Sequence, residues 1–168
     1  ATGGNYHGDD SICGDNACDV QTWTVDDDGP ADFDNIQSAV YAAGSLDEIV
    51  VEPGTYTSTQ DGYVVNMLGK AITLRSSAGA AVTIIDGEGT RGVLLCTGNE
   101  TSATVIEGFT ITGGLATSGS GIYYHESNPT LRDCTISGNN AINYGGGFYC
   151  ESSSTSTLTD CTFEGNTA

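Results

Sequence analysis

Short apolar runs alternate with Gly, Ser, Asn and Thr along most of this chain, and the runs have strand length rather than helix length. They predict strands at 49–51, 63–65, 72–74, 82–85, 93–95, 105–111, 122–124, 131–136, 148–150 and 158–163. Upstream, residues 21–25 alternate polar and apolar as a further strand, and Asp26-Asp27-Asp28-Gly29-Pro30 is a turn-rich acidic run. Residues 31–43 predict the one helix. Phe33, Ile36, Val40 and Ala43 lie near one face, Asp32 and Asp34 fall in the first turn, and Gly44 is the natural stop. An amphipathic helix of this kind covers an apolar surface. Residues 1–20 are polar and read as an extension without a core, ahead of one domain over 21–168.

The strands repeat. Leu131-Arg132-Asp133-Cys134-Thr135-Ile136-Ser137-Gly138-Asn139 matches Leu158-Thr159-Asp160-Cys161-Thr162-Phe163-Glu164-Gly165-Asn166, and Ile106-Glu107-Gly108-Phe109-Thr110-Ile111-Thr112-Gly113 fits the same frame. Gly121-Ile122-Tyr123-Tyr124 matches Gly147-Phe148-Tyr149-Cys150. The spacing is 25–27 residues. A period of that length holding two or more short strands is one rung of a coil, with equivalent residues of successive rungs stacked ~4.8 Å apart. Phe109, Cys134 and Cys161 then form one internal column; Ile111, Ile136 and Phe163 form a second; Ile122 and Phe148 form a third. Asn139 over Asn166 forms a turn ladder, its amides bonding up the stack. The expected fold is all-β: a right-handed parallel β-helix, a solenoid of roughly five rungs over 46–168, with the helix capping its N-terminal end.

Charge and cysteine content narrow the partners. Four Lys and Arg stand against 22 Asp and Glu, a net charge of −18. Nucleic acid is excluded, because the phosphate term needs cations, and an anionic membrane surface is disfavoured for the same reason. No run has the length and apolarity of a membrane helix, so no insertion is expected. Six Cys favour an oxidising compartment, and the expected location is extracellular or on a cell surface. The chain opens at Ala1 in a polar stretch, as a mature secreted chain does, and as a trimmed piece of a longer chain does too.

Thr22-Trp23-Thr24-Val25-Asp26-Asp27-Asp28-Gly29, Asp34-Asn35-Ile36-Gln37-Ser38-Ala39-Val40 and Glu48-Ile49-Val50-Val51-Glu52-Pro53-Gly54-Thr55-Tyr56-Thr57 resemble the opening segment of bacterial right-handed parallel β-helix proteins, as in pectin methylesterases and pectate lyases. The later Gly-Phe-Tyr-Cys and Asp-Cys-Thr-Phe-Glu-Gly-Asn-Thr-Ala segments resemble repeats of large bacterial surface proteins, including those of planctomycetes and the polymorphic outer-membrane proteins. The resemblance spans about 21–168 and speaks for fold more than for function. A lyase-like site implies an acidic calcium cluster on a rung and a basic proton acceptor. An esterase-like site implies two aspartates and an arginine on neighbouring rungs. Lys70, Arg75, Arg91 and Arg132 are the only cations, and neither they nor Asp86 and Asp133 recur in those patterns. The expectation is a non-catalytic structural or adhesive protein that requires no cofactor, with carbohydrate binding or processing as the alternative.

Calcium is the candidate metal. Asp26, Asp27, Asp28, Asp32 and Asp34 crowd into nine residues, and oxygen-only clusters suit that ion, though no EF-hand loop is formed. Turn chemistry and helix N-terminal charge account for the same residues. Cys13 and Cys18 bracket a small loop that a disulfide closes. Cys134 and Cys161 read as small core residues for which a vertical disulfide between rungs is allowed, with Cys150 a rival partner for either and Cys96 left free. Tyr123, Tyr124, Tyr144 and Tyr149 form a strip for polysaccharide or pack inward. Asn99-Glu100-Thr101 is a glycosylation sequon, and residues 152–157 are an unbroken hydroxyl run. The last rung carries Phe163, Asn166 and Ala168 with no polar cap after it. Three resolutions are open: a longer repeat array, a cover supplied by residues 1–20, or a second copy docked head-to-tail into a filament. Self-association is the expectation among them.

Overall fold

The computed structural model describes residues 20–58 and 62–168, so Cys13 and Cys18 lie outside the described residues. Strands β1 (Thr22–Val25), β2 (Glu48–Val51), β5 (Thr73–Ser76), β8 (Val105–Glu107), β12 (Thr130–Arg132) and β16 (Thr157–Thr159) stack in that order as one sheet. A second sheet stacks β3 (Gly54–Tyr56), β6 (Thr83–Asp86), β9 (Thr110–Thr112), β13 (Thr135–Ser137) and β17 (Thr162–Glu164). A third stacks β4 (Tyr63–Asn66), β7 (Gly92–Cys96), β11 (Ile122–His125) and β15 (Phe148–Glu151). Between the second and third faces, β10 (Leu115–Ser118) pairs with β14 (Asn140–Tyr144). Every pairing is parallel and joins successive turns, so the chain coils through about five rungs as a parallel β-solenoid.

The predicted columns are in register. Ile111, Ile136 and Phe163 are direct partners, as are Ile122 and Phe148. Cys134 sits over Phe109 and under Cys161, through Thr135 N–H to Phe109 O and Thr162 N–H to Cys134 O, each 2.9 Å. Phe109, Ile111, Ile122 and Ile136 are fully buried. Three long strand runs are each broken in two, however. Gly108, Asp133 and Asp160 turn the corner from the first sheet to the second with φ of 78°, 49° and 52°. One left-handed residue ends a strand without ending the apolar alternation, which is why 105–111, 131–136 and 158–163 read as continuous. Aspartate tolerates this conformation better than most residues with a Cβ.

The turn ladder is present. Asn139 is buried; its Nδ2 donates to Ile111 O (3.0 Å) and Asn166 Oδ1 (2.9 Å), and its Oδ1 accepts from Gly114 N–H (2.8 Å). Asn166 Nδ2 donates to Ile136 O at 2.8 Å, repeating the pattern one rung on. Glycine at 121 is required by this approach, because a Cβ there would lie 2.5 Å from Gly147 O and 2.9 Å from Asn139 Nδ2.

At the N-terminal end each sheet edge is covered by a different device, as an exposed edge demands. β1 lies along β2. The edge of β3 gives Thr55 N–H to Asp27 Oδ2 at 3.4 Å. The edge of β4 exchanges two bonds with Gln37 of α1 (Ile36–Ala42): Asn66 N–H donates to Oε1 (2.7 Å) and Nε2 donates to Asn66 O (3.2 Å). The helix does cover an apolar end, burying Ile36, Ala39 and Val40, but it is shorter than 31–43. Asp32 accepts from the Thr24 amide and hydroxyl, and Phe33 pairs with Val25, so 26–34 folds back on β1 and Asn35 becomes the N-cap. Asp32 and Asp34 are therefore outside the first turn. Lys70 closes the other helix end, donating to the carbonyls of Val40, Tyr41 and Ala43 at 2.6–2.9 Å.

Asp47 joins β1, the helix end and the first rung. It is 4% exposed and accepts from Gln21 N–H, the Trp23 indole and Gly44 N–H at 2.8–3.0 Å. Burial pushes its carboxyl up, but those three donors and the Lys70 charge outweigh burial and hold it below the usual carboxylate range.

Two stability measurements follow. Asn139→Ala leaves Gly114 N–H and Ile111 O without their partner and costs about 2–3 kcal/mol in urea titration, whereas exposed Asn140→Ala stays within about 0.5 kcal/mol. Asp47→Asn costs about 2 kcal/mol at pH 7. Because the folded pKa is depressed, that difference is full above the unfolded value of about 4 and shrinks as pH falls below it. A gap that stays constant down to the acid transition would show that the Asp47 charge is not what the three donors hold.

Candidate functional site

The outer face of the third sheet carries the most distinctive lateral surface. Tyr123 and Tyr149 are direct partners on β11 and β15, and their rings are 5.8 Å apart and 13° from parallel. Tyr144, at the end of β14, continues the row at 6.0 Å and 17° from Tyr149 and is 63% exposed. The Tyr123 hydroxyl donates to Glu151 Oε2 at 2.6 Å, and this bond, helped by burial, pushes its pKa up to about 12. Tyr124 instead points inward and is fully buried. The four tyrosines thus divide, three outward and one in the core, as strand alternation requires. A row of near-parallel phenol rings beside a carboxylate offers ring faces, hydroxyls and one acidic acceptor; it suits the C–H faces and hydroxyls of neutral sugars and repels polyanions.

Lys70 and Arg75 are committed to structure. Lys70 caps α1. Arg75 Nε bonds Glu48 Oε1 at 2.7 Å, and Arg75, Glu107 and Arg132 alternate up one outer column of the first sheet. Arg91 Nη2 stands 3.8 Å from Glu88. Asp86 accepts from Glu88 N–H at a turn, and Asp133 turns a corner. A cavity of about 440 Å³ lies beside α1, lined by residues including Asp34, Gln37, Tyr41, Tyr56 and Val64. Among the described residues no cation lines it.

Of the five candidate calcium ligands, Asp26, Asp27 and Asp28 gather carboxylate oxygens within 4.8 Å of one another. Asp32 is drawn away by Thr24 and Asp34 by the Asn35 amide. Asp27 and Asp26 already accept from Thr55 N–H and Asp28 N–H, so the run serves as an edge cap and turn. Three carboxylates close together are a donor set that fits calcium by type.

Cys96, Cys134, Cys150 and Cys161 are free thiols. Cys134 and Cys161 are stacked neighbours. Cys150 is instead the rung neighbour of Tyr124, which in turn lies over Cys96. Asn99 is exposed in a left-handed turn (φ 63°), an accessible position for its sequon. The middle residue of that sequon carries a role the motif hides. Glu100 is 1% exposed and accepts from Gly69 N–H, Gly98 N–H and the Ser127 hydroxyl at 2.7–2.9 Å. Ser154 donates nothing to it but continues the column, accepting from Ser127 N–H at 3.1 Å. The equal spacing of Glu100, Ser127 and Ser154 is the sequence signal that identifies this internal polar column. On the fifth rung Phe163 and Leu158 are 43% and 42% exposed, Asn166 is half-buried and Ala168 is exposed.

The geometry defines a parallel β-solenoid with one aromatic lateral strip. Residues 33–168 match the family described as right handed beta helix region, and the chain belongs to that family. No curated protein and no solved structure gives a significant match. The right-handed coil of roughly five rungs read from the repeats is thereby established. Among the described residues no helix is long and apolar enough to cross a membrane.

Among the described residues two buried side-chain polar atoms have no partner, Arg91 Nη1 and the Tyr124 hydroxyl, the latter fully enclosed beside the thiols of Cys96, Cys134 and Cys150. Tyr124→Phe removes an unsatisfied polar atom while keeping the ring, and its edge contact with Phe148 5.0 Å away, so it is expected to raise unfolding stability by about 1 kcal/mol in urea titration. A loss of that size would mean the hydroxyl has a partner after all.

Proposed function

We propose that this chain is a non-catalytic structural β-solenoid of an extracellular or cell-surface protein, a rigid scaffold that adheres through its lateral faces. The single observation that carries this reading is the commitment of its polar groups to the coil. Lys70, Arg75, Asn139, Asp47 and Glu100 all bond to backbone or to side chains of neighbouring segments along the stack, and among the described residues no acid and base converge on a shared cavity. The acidity and the cysteine content support a place outside the cell. End-on contact with a further rung, whether of a longer array or of a head-to-tail copy, is part of this reading, and Phe163 is the exposed side chain it would cover.

A second reading, carbohydrate binding, is favoured by the Tyr123–Tyr149–Tyr144 row. The net charge of −18 points that strip at neutral rather than acidic polysaccharide. One set of assays separates the readings. Incubation with polygalacturonate and with its methyl ester, with and without calcium, is expected to give no turnover; turnover that disappears in Asp86→Ala or Arg132→Ala would replace the scaffold with an enzyme. In affinity electrophoresis through neutral glucan, retardation abolished by Tyr149→Ala, with polygalacturonate giving none, establishes the strip as a sugar contact. Unretarded migration leaves the scaffold reading alone.

A further inference from the structure

We propose that Cys134 and Cys161 form a disulfide-exchange site, in which Cys161 is the attacking thiol and Cys134 the resolving one, so that a small-molecule disulfide converts the stacked pair into a covalent staple between the fourth and fifth rungs. The geometry comes from the register. Arg132 pairs with Thr159 on one side and Thr135 with Thr162 on the other, and Thr162 N–H bonds Cys134 O at 2.9 Å. The two Cα atoms are therefore one strand spacing apart, ~4.8 Å, inside the window a disulfide accepts. The two side chains take the same course in successive rungs. Cys134 Sγ donates to Arg132 O (3.1 Å) and Cys161 Sγ to Thr159 O (3.3 Å), each the carbonyl two residues back. Each sulfur also reaches the equivalent carbonyl one rung back, Cys134 Sγ to Ile106 O at 4.0 Å and Cys161 Sγ to Leu131 O at 3.7 Å. No other two of the four described thiols are stacked in register: Tyr124 separates Cys96 from Cys150.

The pair is asymmetric, and the asymmetry sets the order of steps. Cys134 is 1% exposed, with Phe109 beneath it and Cys161 above. Cys161 is part-exposed on the fifth rung. The neighbouring Cys134 side chain holds the Cys161 thiol below its usual range, while Cys161 and burial push the Cys134 thiol up. The thiolate is the nucleophile in exchange, so the accessible thiol of lower pKa attacks first.

The step balances with an oxidant of stated class, a low-molecular-weight disulfide such as glutathione disulfide. The Cys161 thiolate attacks one sulfur; the S–S bond breaks, and the departing thiolate takes up the proton Cys161 lost. Cys134 then loses its proton and attacks Cys161 Sγ, breaking the mixed disulfide and releasing the second thiol. Two protein thiols are oxidised to one disulfide, and one small disulfide is reduced to two thiols.

The test exposes the reduced chain to glutathione disulfide, quenches with an alkylating agent and reads mass. It is run in a Cys150→Ser background, where digestion before aspartate gives peptides 133–159 and 160–168 with one cysteine each. The expected product is these two peptides joined, lighter by two hydrogens than their sum. In Cys134→Ser the reaction stops at one glutathione on 160–168. In Cys161→Ser, Cys134 stays unmodified and its peptide is alkylated only after denaturation. Circular dichroism of each variant, unchanged in the β region, shows that the coil is intact. The proposal is overturned if the two peptides remain separate with both thiols alkylated, or if Cys134 takes up glutathione in Cys161→Ser as fast as Cys161 does in Cys134→Ser.

Discussion

A rung of this coil cannot satisfy its own backbone. Its strands are three to five residues long, and their amides and carbonyls find partners only in the rungs above and below. In-register parallel stacking is thus the constraint on which the rest depends, because it places each side chain over its counterpart one turn earlier. Apolar columns meet that condition with any residues of compatible size. Phe109 beneath Cys134, and Ile136 beneath Phe163, each contribute a modest pair energy of roughly 0.2–1 kcal/mol. Polar residues that point inward face a harsher condition, since a lost partner leaves a dry donor or acceptor. Asn139 and Glu100 meet it by bonding along the stack, so single changes there cost more than most apolar truncations on the outer surface.

The same constraint explains the unusual charge distribution. A net charge of −18 is not neutralised by ion pairs: the Arg75–Glu48 pair is about a third exposed at both ends and contributes about 0–1 kcal/mol. Carboxylates are accommodated because they stand on outer faces or accept from backbone amides at edges and corners, as Asp27, Asp32 and Asp47 do at the N-terminal end. Acidic side chains thus do at the sheet edges what a further rung would do with its backbone. The aromatic row on the third sheet is the main lateral departure from a polar surface, and it grows toward the fifth rung: the equivalent positions in earlier rungs are Asn66 and Leu95.

Much of this was legible in the repeats. The spacing of 25–27 residues led to the internal columns, the Asn139–Asn166 ladder and the stacking of Cys134 on Cys161, since identical offsets in a coil mean vertical contact. The helix start was not legible, because the pull of Thr24 on Asp32 is a contact between segments and leaves no periodic trace. Strands β3, β10 and β14 were hidden for a related reason: Gly54, Ala116 and Asn140 have weak strand propensity and are strands only because a neighbouring rung supplies their bonds.

The sequence by itself determined the architecture, the rung length, and which residues share a column, because those follow from period and alternation alone. Tertiary structure decided what each column does. It assigned Lys70 to the carbonyls of a helix end, turned Tyr124 inward and Tyr123 outward, and sealed Glu100 among Gly69, Gly98 and Ser127. Those outcomes depend on which groups meet across rungs at hydrogen-bond distance, and a one-dimensional pattern records spacing but not the partner waiting at the end of it.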